Sequence, residues 1–334
     1  MNVTRRGLIA SMLVSALTFG APSVTIAAEP EVPVVSYGGS TWLSHYPVWV
    51  GIKQGFFKAR GLNVEWQNFS TGSSRISSLL VGEIQFGGAG SISAIALMAS
   101  GATGVSIVGA PDSYATVEGI IANEGIGSIE QLKGKKLGVP FATSSHVLAL
   151  DLLSQHGLDP DTDVTLINLP ASDTPSALLG GQVDAVTTWT PAFNTLKANP
   201  QLRVLADARE FSLYKSFKVG PGPDVLVANT AFVETNPIAT RAFLEGYFEA
   251  SSFIAKNPEQ AAEILTELTK LSAVEQIAVL KDIEWHDQKR QAEMLGADGS
   301  FTKGLQSLAD ILVSHKQINE APVVADHIKA GLLP

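Results

Sequence analysis

Apolar positions along the chain fall into short blocks that alternate between two spacings. Residues 32–39 (VPVVSYGG) are a compact apolar run ending in glycines, which predicts a strand. Residues 47–61 (PVWVGIKQGFFKARG) place apolar side chains at helical spacing and end on Gly61, which predicts an amphipathic helix with a glycine stop. The alternation in 62–69 (LNVEWQNF) predicts a half-buried strand. A helix over 72–83, a strand and turn over 84–90 (IQFGGAG) and a further helix over 91–101 follow. Strand–helix alternation at this spacing predicts an α/β fold with largely parallel sheets.

One stretch echoes another. SLLVGEIQFGG (78–88) and ALLGGQVDAVT (177–187) are each a helix end, a glycine turn, a polar residue and a short apolar strand. The echo predicts two similarly built lobes. The second lobe opens near 121–140 and runs through VTLINLP (164–170), VDAVTTW (183–189) and RVLADAREF (203–211). KVGPGPDVLVANTAFV (218–233) reads as a stiff turn and a strand returning to the first lobe, and the remainder is helical. The predicted division is lobe 1 over 29–119, lobe 2 over 120–216 and lobe 1 again over 217–334, with crossings near 117–121 and 214–222.

Composition changes this picture in three places. The chain has 334 residues, 45% hydrophobic and 16% charged, enough for a large core. At its start, Arg5 and Arg6 precede an apolar run too short to span a bilayer, and Thr25, Ala27 and Ala28 follow. That pattern predicts a signal peptide over 1–28, cleaved near Ala27 or Ala28, and a soluble periplasmic product. Its removal takes two arginines from the 23 basic residues and leaves 32 acidic ones, so the balance moves from −9 to −11. An acidic exported chain is a poor match for nucleic acid. There is no cysteine, which excludes disulfides, thiolate metal sites and cysteine nucleophiles.

Four polar junctions recur where a strand hands over to a helix: YGGSTWLSHYP (37–47), STGSS (70–74), GGAGSIS (87–93) and ATSSHV (142–147). Strand carboxyl ends are where open α/β sheets bind ligands, and helix starts offer free N–H groups and partial positive charge. One hydroxyl per junction is explained by N-capping. Thr143, Ser144 and Ser145 together exceed that need, which favours an anion site. Trp189 either packs or lines a cleft. Asp224, after Pro-Gly-Pro, is either a turn residue or a carboxylate facing a ligand cation. No GxSxG, Walker, GxGxxG or HExxH pattern is present, and His286 and His315 read as helix-surface residues.

The stretches 127–160, 164–170, 181–196 and 222–237, with 77–101 in the first lobe, resemble the periplasmic substrate-binding proteins of ABC importers. The subfamily is the one for taurine, alkanesulfonates and nitrate, nearest its taurine-binding members. The resemblance covers residues 32–330. It implies a type II two-lobed binding protein, each lobe a mostly parallel sheet flanked by helices, closing about a two-stranded hinge. It implies that Ser144, Ser145 and His146, flanked by Thr143, hold a ligand oxyanion from the second lobe. Gly90, Ser91, Gly72 and Ser73 would do so from the first. Trp189 would line the cleft, and Asp224 would pair with a ligand ammonium, which nitrate and simple alkanesulfonates lack. Taurine binders carry an acid before the first-loop proline. Here Tyr46 precedes Pro47 within an aromatic run (Trp42, His45, Tyr46, Trp49), which suits a bulkier amine. The function implied is a monomeric, non-enzymatic, cofactor-free carrier of a taurine-like sulfonate, delivering to a membrane permease and its ATPase. The alternatives are a carrier of alkanesulfonate, nitrate or a thiamine-precursor pyrimidine, or a hydrolase or lyase on the same fold using Ser144 or His146.

Overall fold

Chain order sorts the strands into two five-stranded sheets and one short ribbon in the computed structural model, which describes residues 29–332. The predicted leader over 1–28 lies outside the described residues. The first lobe holds β1 (Val34–Gly39), α1 (Tyr46–Gln54), β2 (Asn63–Asn68), α2 (Gly72–Leu80), β3 (Phe86–Gly90), α3 (Ser91–Ala99) and β4 (Val105–Gly109). After β5 (Asp112–Ser113) the chain enters the second lobe. This comprises β6 (Glu118–Asn123), β7 (Lys136–Val139), α4 (Ser144–Gln155), β8 (Thr165–Asn168), α5 (Thr174–Leu179), β9 (Ala185–Trp189), α6 (Ala192–Lys197), β10 (Leu202–Asp207) and α7 (Ser212–Phe217). The return comprises β11 (Asp224–Asn229), α8 (Thr230–Thr235), α9 (Pro237–Lys256), α10 (Pro258–Thr269), α11 (Ala273–Lys281), β12 (Glu284–Trp285), α12 (Gln288–Leu295) and α13 (Ser300–Ser314). The helix predicted over 47–61 is interrupted: Gly55 takes φ +77 at its end, and residues 58–60 form a 3-10 turn before Gly61 at φ +72.

The two sheets have one topology. Their strand orders are β2-β1-β3-β11-β4 and β8-β7-β9-β6-β10. In each, four strands run the same way and one is reversed: β11 runs against β3 and β4, and β6 runs against β9 and β10. The reversed strands are those that enter a lobe from the opposite one. They therefore begin at the edge where their neighbours end. The echo in the sequence is this symmetry: α2 and β3 in one lobe match α5 and β9 in the other.

The first sheet packs on α9 through an aromatic stack, with Phe243 face to face with Phe86 at 3.9 Å and near Phe57 at 5.3 Å. The C-terminal helix expected from the sequence is α13 (Ser300–Ser314), and its position between the lobes was not anticipated. It packs on α3 of the first lobe and on α4 and α7 of the second. Leu305, Leu308 and Leu312 of α13 share one apolar cluster with Ile95 and Met98 of α3 and with Leu148 and Leu152 of α4. The two crossings, between β4 and β6 and between α7 and β11, are thus reinforced by a bridging helix.

Candidate functional site

Strand ends from both lobes enclose a cleft of about 390 Å3, within the range of small-ligand pockets. Its first-lobe wall is built by the loops after β1, β2 and β3, which bring Ser40, Trp42, His45, Thr71, Gly72, Arg75 and Gly90 to it. Tyr114 and Gly222 come from the two crossings, Asp224 from the start of β11, and Trp189 from the end of β9.

The glycines of β1 and β3 explain how long side chains reach this wall. A Cβ on Gly38 would lie 2.8 Å from Arg75 Cγ, one on Gly87 3.0 Å from Arg75 Cδ, and one on Gly88 2.6 Å from His45 Cε1. The glycines thus form a floor over which Arg75 and His45 lie flat. Arg75 is 5% exposed, and its Nη1 donates to Gly88 O at 2.5 Å. Its Nε has no hydrogen-bond partner, and none of the arginine ion pairs among the described residues includes it. Burial pulls the guanidinium pKa down, and the Tyr37 and Asp224 charges oppose this.

Asp224 is buried and accepts hydrogen bonds on Oδ2 from Trp42 Nε1 at 2.7 Å and Tyr114 OH at 3.3 Å. Burial raises its pKa to about 6, with Trp42 and Tyr114 opposing. Behind it lies Asp112, 1% exposed, with both carboxylate oxygens unpartnered. Burial and the Asp224 charge push the Asp112 carboxyl well above the usual carboxylate range. His45 is kept neutral by burial and by Arg75, and its Nδ1 pairs with Tyr37 OH at 2.7 Å.

The sequence-selected residues divide among several environments. Gly72, Gly90, Trp189 and Asp224 line the cleft. Ser73 faces a separate hollow between α2, α3 and the end of α13. Ser91 is fully buried, its N–H donating to Pro223 O at 2.9 Å. Thr143 occupies the N-cap position of α4, but its hydroxyl donates to Pro140 O rather than capping. Ser144 and Ser145 both donate to Glu118 Oε1, at 2.7 and 2.5 Å. His146 stacks on Phe141 at 4.4 Å, accepts the Ala142 N–H on Nδ1, and faces a groove shared with His315 and Lys316. No hydrogen bond joins either serine to His146 among the described residues, so a Ser–His nucleophile pair has no geometric support. Tyr46 is 3% exposed and sits in the apolar cluster with Leu43 and Val50, its ring 6.5 Å from Trp285. The aromatic run splits where a 3-10 turn gives way to α1: Trp42 and His45 turn to the cleft, Tyr46 and Trp49 to the core. His286, read as a surface residue, is 1% exposed, and burial lowers its pKa to about 4. Among the described residues no group of three or more His, Asp or Glu is placed to hold a metal ion, and no helix is long and apolar enough to cross a membrane.

Two residues of consequence were not selected from the sequence. Arg75 was hidden in the serine-rich start of α2. Its signal is a lone charge in a serine-rich helix that leads into a glycine-rich strand. Glu118 was hidden at the mouth of β6. Its signal is a second echo: EGIIAN (118–123) against DVLVAN (224–229), each an acid opening an apolar run that ends Ala-Asn.

Comparison with known proteins agrees with this architecture. The family profile described as NMT1/THI5 like matches residues 42–261. A provisionally named binding protein of Brucella abortus (strain 2308) is 30% identical over 312 residues, covering 93% of this chain and 92% of that one. The taurine-binding periplasmic protein of Escherichia coli (strain K12) is 28% identical over 222 residues, 66% of this chain and 67% of that one. Among solved structures, the periplasmic aliphatic sulphonate binding protein SsuA from Escherichia coli superposes with a TM-score of 0.74 at 22% identity, covering 89% of this chain and 92% of that one. The periplasmic nitrate-binding protein NrtA from Synechocystis PCC 6803 gives 0.69 at 14% identity, over 91% and 88%. This chain belongs to the NMT1/THI5-like family and has the two-lobed α/β fold of the periplasmic binding proteins.

Proposed function

We propose that this chain is the exported substrate-binding protein of an ABC importer. It captures a small aminosulfonate of taurine type between its lobes and hands it to a membrane permease driven by an ATPase. The names of the taurine- and sulfonate-binding relatives support the transport class. The observation that carries the substrate class is Arg75. A guanidinium buried without a carboxylate partner is costly, and an incoming oxyanion relieves that cost. Its planar fork suits two oxygens of a sulfonate. The N–H groups at the start of α2, at Gly72, add uncharged donors beside it. Asp224, on the same wall, takes the ligand ammonium, with Trp42 and Tyr114 as its aromatic surround. Closure is a hinge motion about the two crossings.

Titration calorimetry of the chain lacking residues 1–28 against taurine, ethanesulfonate, nitrate and sulfate tests this. Heat with taurine exceeding that with the inorganic anions is the expected result. Absence of binding to either sulfonate overturns the substrate class. The hydrolase alternative predicts turnover of a panel compound that disappears in Ser144→Ala, and the serine geometry does not favour it.

A further inference from the structure

We propose that Glu118 is the second-lobe counterpart of Asp224, and that the cationic end of the ligand is held between these two carboxylates while its oxyanion lies on the first lobe at Arg75. The inference rests on the cleft being the ligand site, as proposed above.

Four observations lead to it. The first is topological. Asp224 opens the reversed strand of its sheet and pairs in register with Gly90, the last residue of β3. Glu118 opens the reversed strand of the other sheet and pairs with Trp189, the last residue of β9. Paired residues of antiparallel strands project to one face, so the Glu118 carboxylate lies beside the cleft-lining Trp189. The second is chemical. Each carboxylate is nearly buried, at 5% and 2% exposure, and each accepts two neutral donors. None of the glutamate ion pairs among the described residues includes Glu118. Both hydroxyl hydrogens of Ser144 and Ser145 are spent on Glu118, so the free lone pairs of these serines can only accept. The serine hydroxyls at the start of α4 thus act as acceptors and add nothing to an anion clamp there.

The third is asymmetry. Extending the echo back by one helical turn sets Arg75 against Thr174, whose hydroxyl donates to Ala171 O. The second lobe has no guanidinium at that place, so the anion has one home and the cation two neighbours. The fourth is proximity across the hinge. Tyr114 OH donates to Asp224 and also feels the Glu118 charge. Ser144 abuts cleft-lining Gly222, where an added Cβ would come within 2.6 Å of Ser144 Cβ. The groups facing Glu118 are Ser144 and Ser145 of α4, Trp189 of β9 and Tyr114, of which only Tyr114 titrates. Asp207 of β10 pairs with the neighbouring Gly119, and its carboxylate is bound by Arg209.

Glu118 is therefore a positioning and selectivity residue. When the lobes close on a plain alkanesulfonate, two carboxylates are left without a cation. An aminosulfonate sets its ammonium between them. The test is calorimetry of wild type and Glu118→Gln against taurine, ethanesulfonate and ethanolamine. The expected result is that the taurine-to-ethanesulfonate affinity ratio falls about tenfold in the variant, the size of one close charge interaction. Equal loss of both ligands, or an unchanged ratio, overturns the proposal, because structural damage alone does not change the ratio. A measurement on wild type needs no variant. The same ratio rises between about pH 6.5 and pH 8 as Glu118 ionises, since burial raises its pKa to about 7. A flat ratio overturns the proposal. If wild type binds ethanolamine but no sulfonate, the sulfonate reading and the oxyanion's place at Arg75 fail while the carboxylate pair stands, provided Glu118→Gln loses the ethanolamine. If wild type binds none of the three, both fail.

Discussion

The two lobes are the same sheet used for different electrostatics. Each sets an acid at the mouth of its reversed strand, opposite the end of its central strand. The first lobe adds glycines to β3 and a buried arginine over them. The second has Val186 and Thr187 in β9 where the first has Gly87 and Gly88, and Thr174 where the first has Arg75. A floor without Cβ atoms lets a long cation lie along it, whereas a floor with side chains does not. In the proposed reading this difference sorts the ends of a zwitterion: oxyanion to the glycine-floored lobe, ammonium toward the seam between the two.

The sharpest way to break this comparison is at its one unmatched charge. Arg75→Met removes the guanidinium and keeps an apolar chain over Gly38 and Gly87. Sulfonate affinity is expected to fall by about 2–5 kcal/mol, the usual cost of deleting one partner of a buried charge pair. The melting temperature of the unliganded protein is expected to hold or rise, because a buried unpaired charge is gone. Calorimetry and thermal melts read both, and retained sulfonate affinity would contradict the assignment of the anion to the first lobe.

Asp224→Asn comes next. Taurine is expected to weaken by about tenfold and ethanesulfonate by no more than about threefold, since only the former offers an ammonium. Parallel losses would return Asp224 to a structural role. The glycine floor is sharpened by a pair of alanines. Gly88→Ala places a methyl 2.6 Å from the His45 ring and is expected to cost about 1–3 kcal/mol in urea unfolding. Gly90→Ala meets nothing within 4 Å and is expected to change stability by less than about 0.5 kcal/mol.

A smaller effect separates the two acids by pH. The pKa of Glu118 is raised from 4.5 to about 7 in the folded chain. Below about pH 4.5 folded and unfolded chains both hold the proton. Through about pH 7 only the folded chain does, so stability is lost as pH rises through that window. Glu118→Gln does not titrate, so its melting temperature should gain on wild type steadily from about pH 5 to about pH 8. A constant gap would mean that Glu118 is ionised throughout. The smallest effect is expected at Tyr46→Phe. Tyr46 packs against Trp285 away from the cleft, so taurine affinity should stay within about twofold of wild type. A larger loss would extend the aromatic surround of the ligand beyond Trp42 and Tyr114.

Much of the frame was legible in residue order. Short apolar runs bounded by glycines gave the strands. The helical spacing in 47–61 gave α1, and the echo of 78–88 in 177–187 gave two lobes of one build, because each is a statement about neighbours in the chain. Residue order alone left Asp224 and Trp189 with a turn or packing reading beside the cleft reading, and the family resemblance favoured the cleft, where both lie. What was not legible is which atom each polar group bonds. Ser144 and Ser145 look free in sequence, but their hydroxyls are held by Glu118, 26 and 27 residues earlier in the chain. Tyr46 and Trp42 look alike in an aromatic run, yet four positions and a change from 3-10 turn to α-helix send them to opposite sides.

By itself, then, the sequence determined the α/β alternation, the duplication of the lobe and the placing of polar junctions at strand ends. These follow from local periodicity and the geometry of strand–helix units. Only the tertiary structure decided the charge map of the cleft. The burial of Arg75 over glycines from two strands, the pairing of Asp224 with Trp42 and the capture of two serines by Glu118 each join residues far apart in the chain. Their protonation and hydrogen-bonding depend on solvent exclusion, which exists only once the lobes have folded and met.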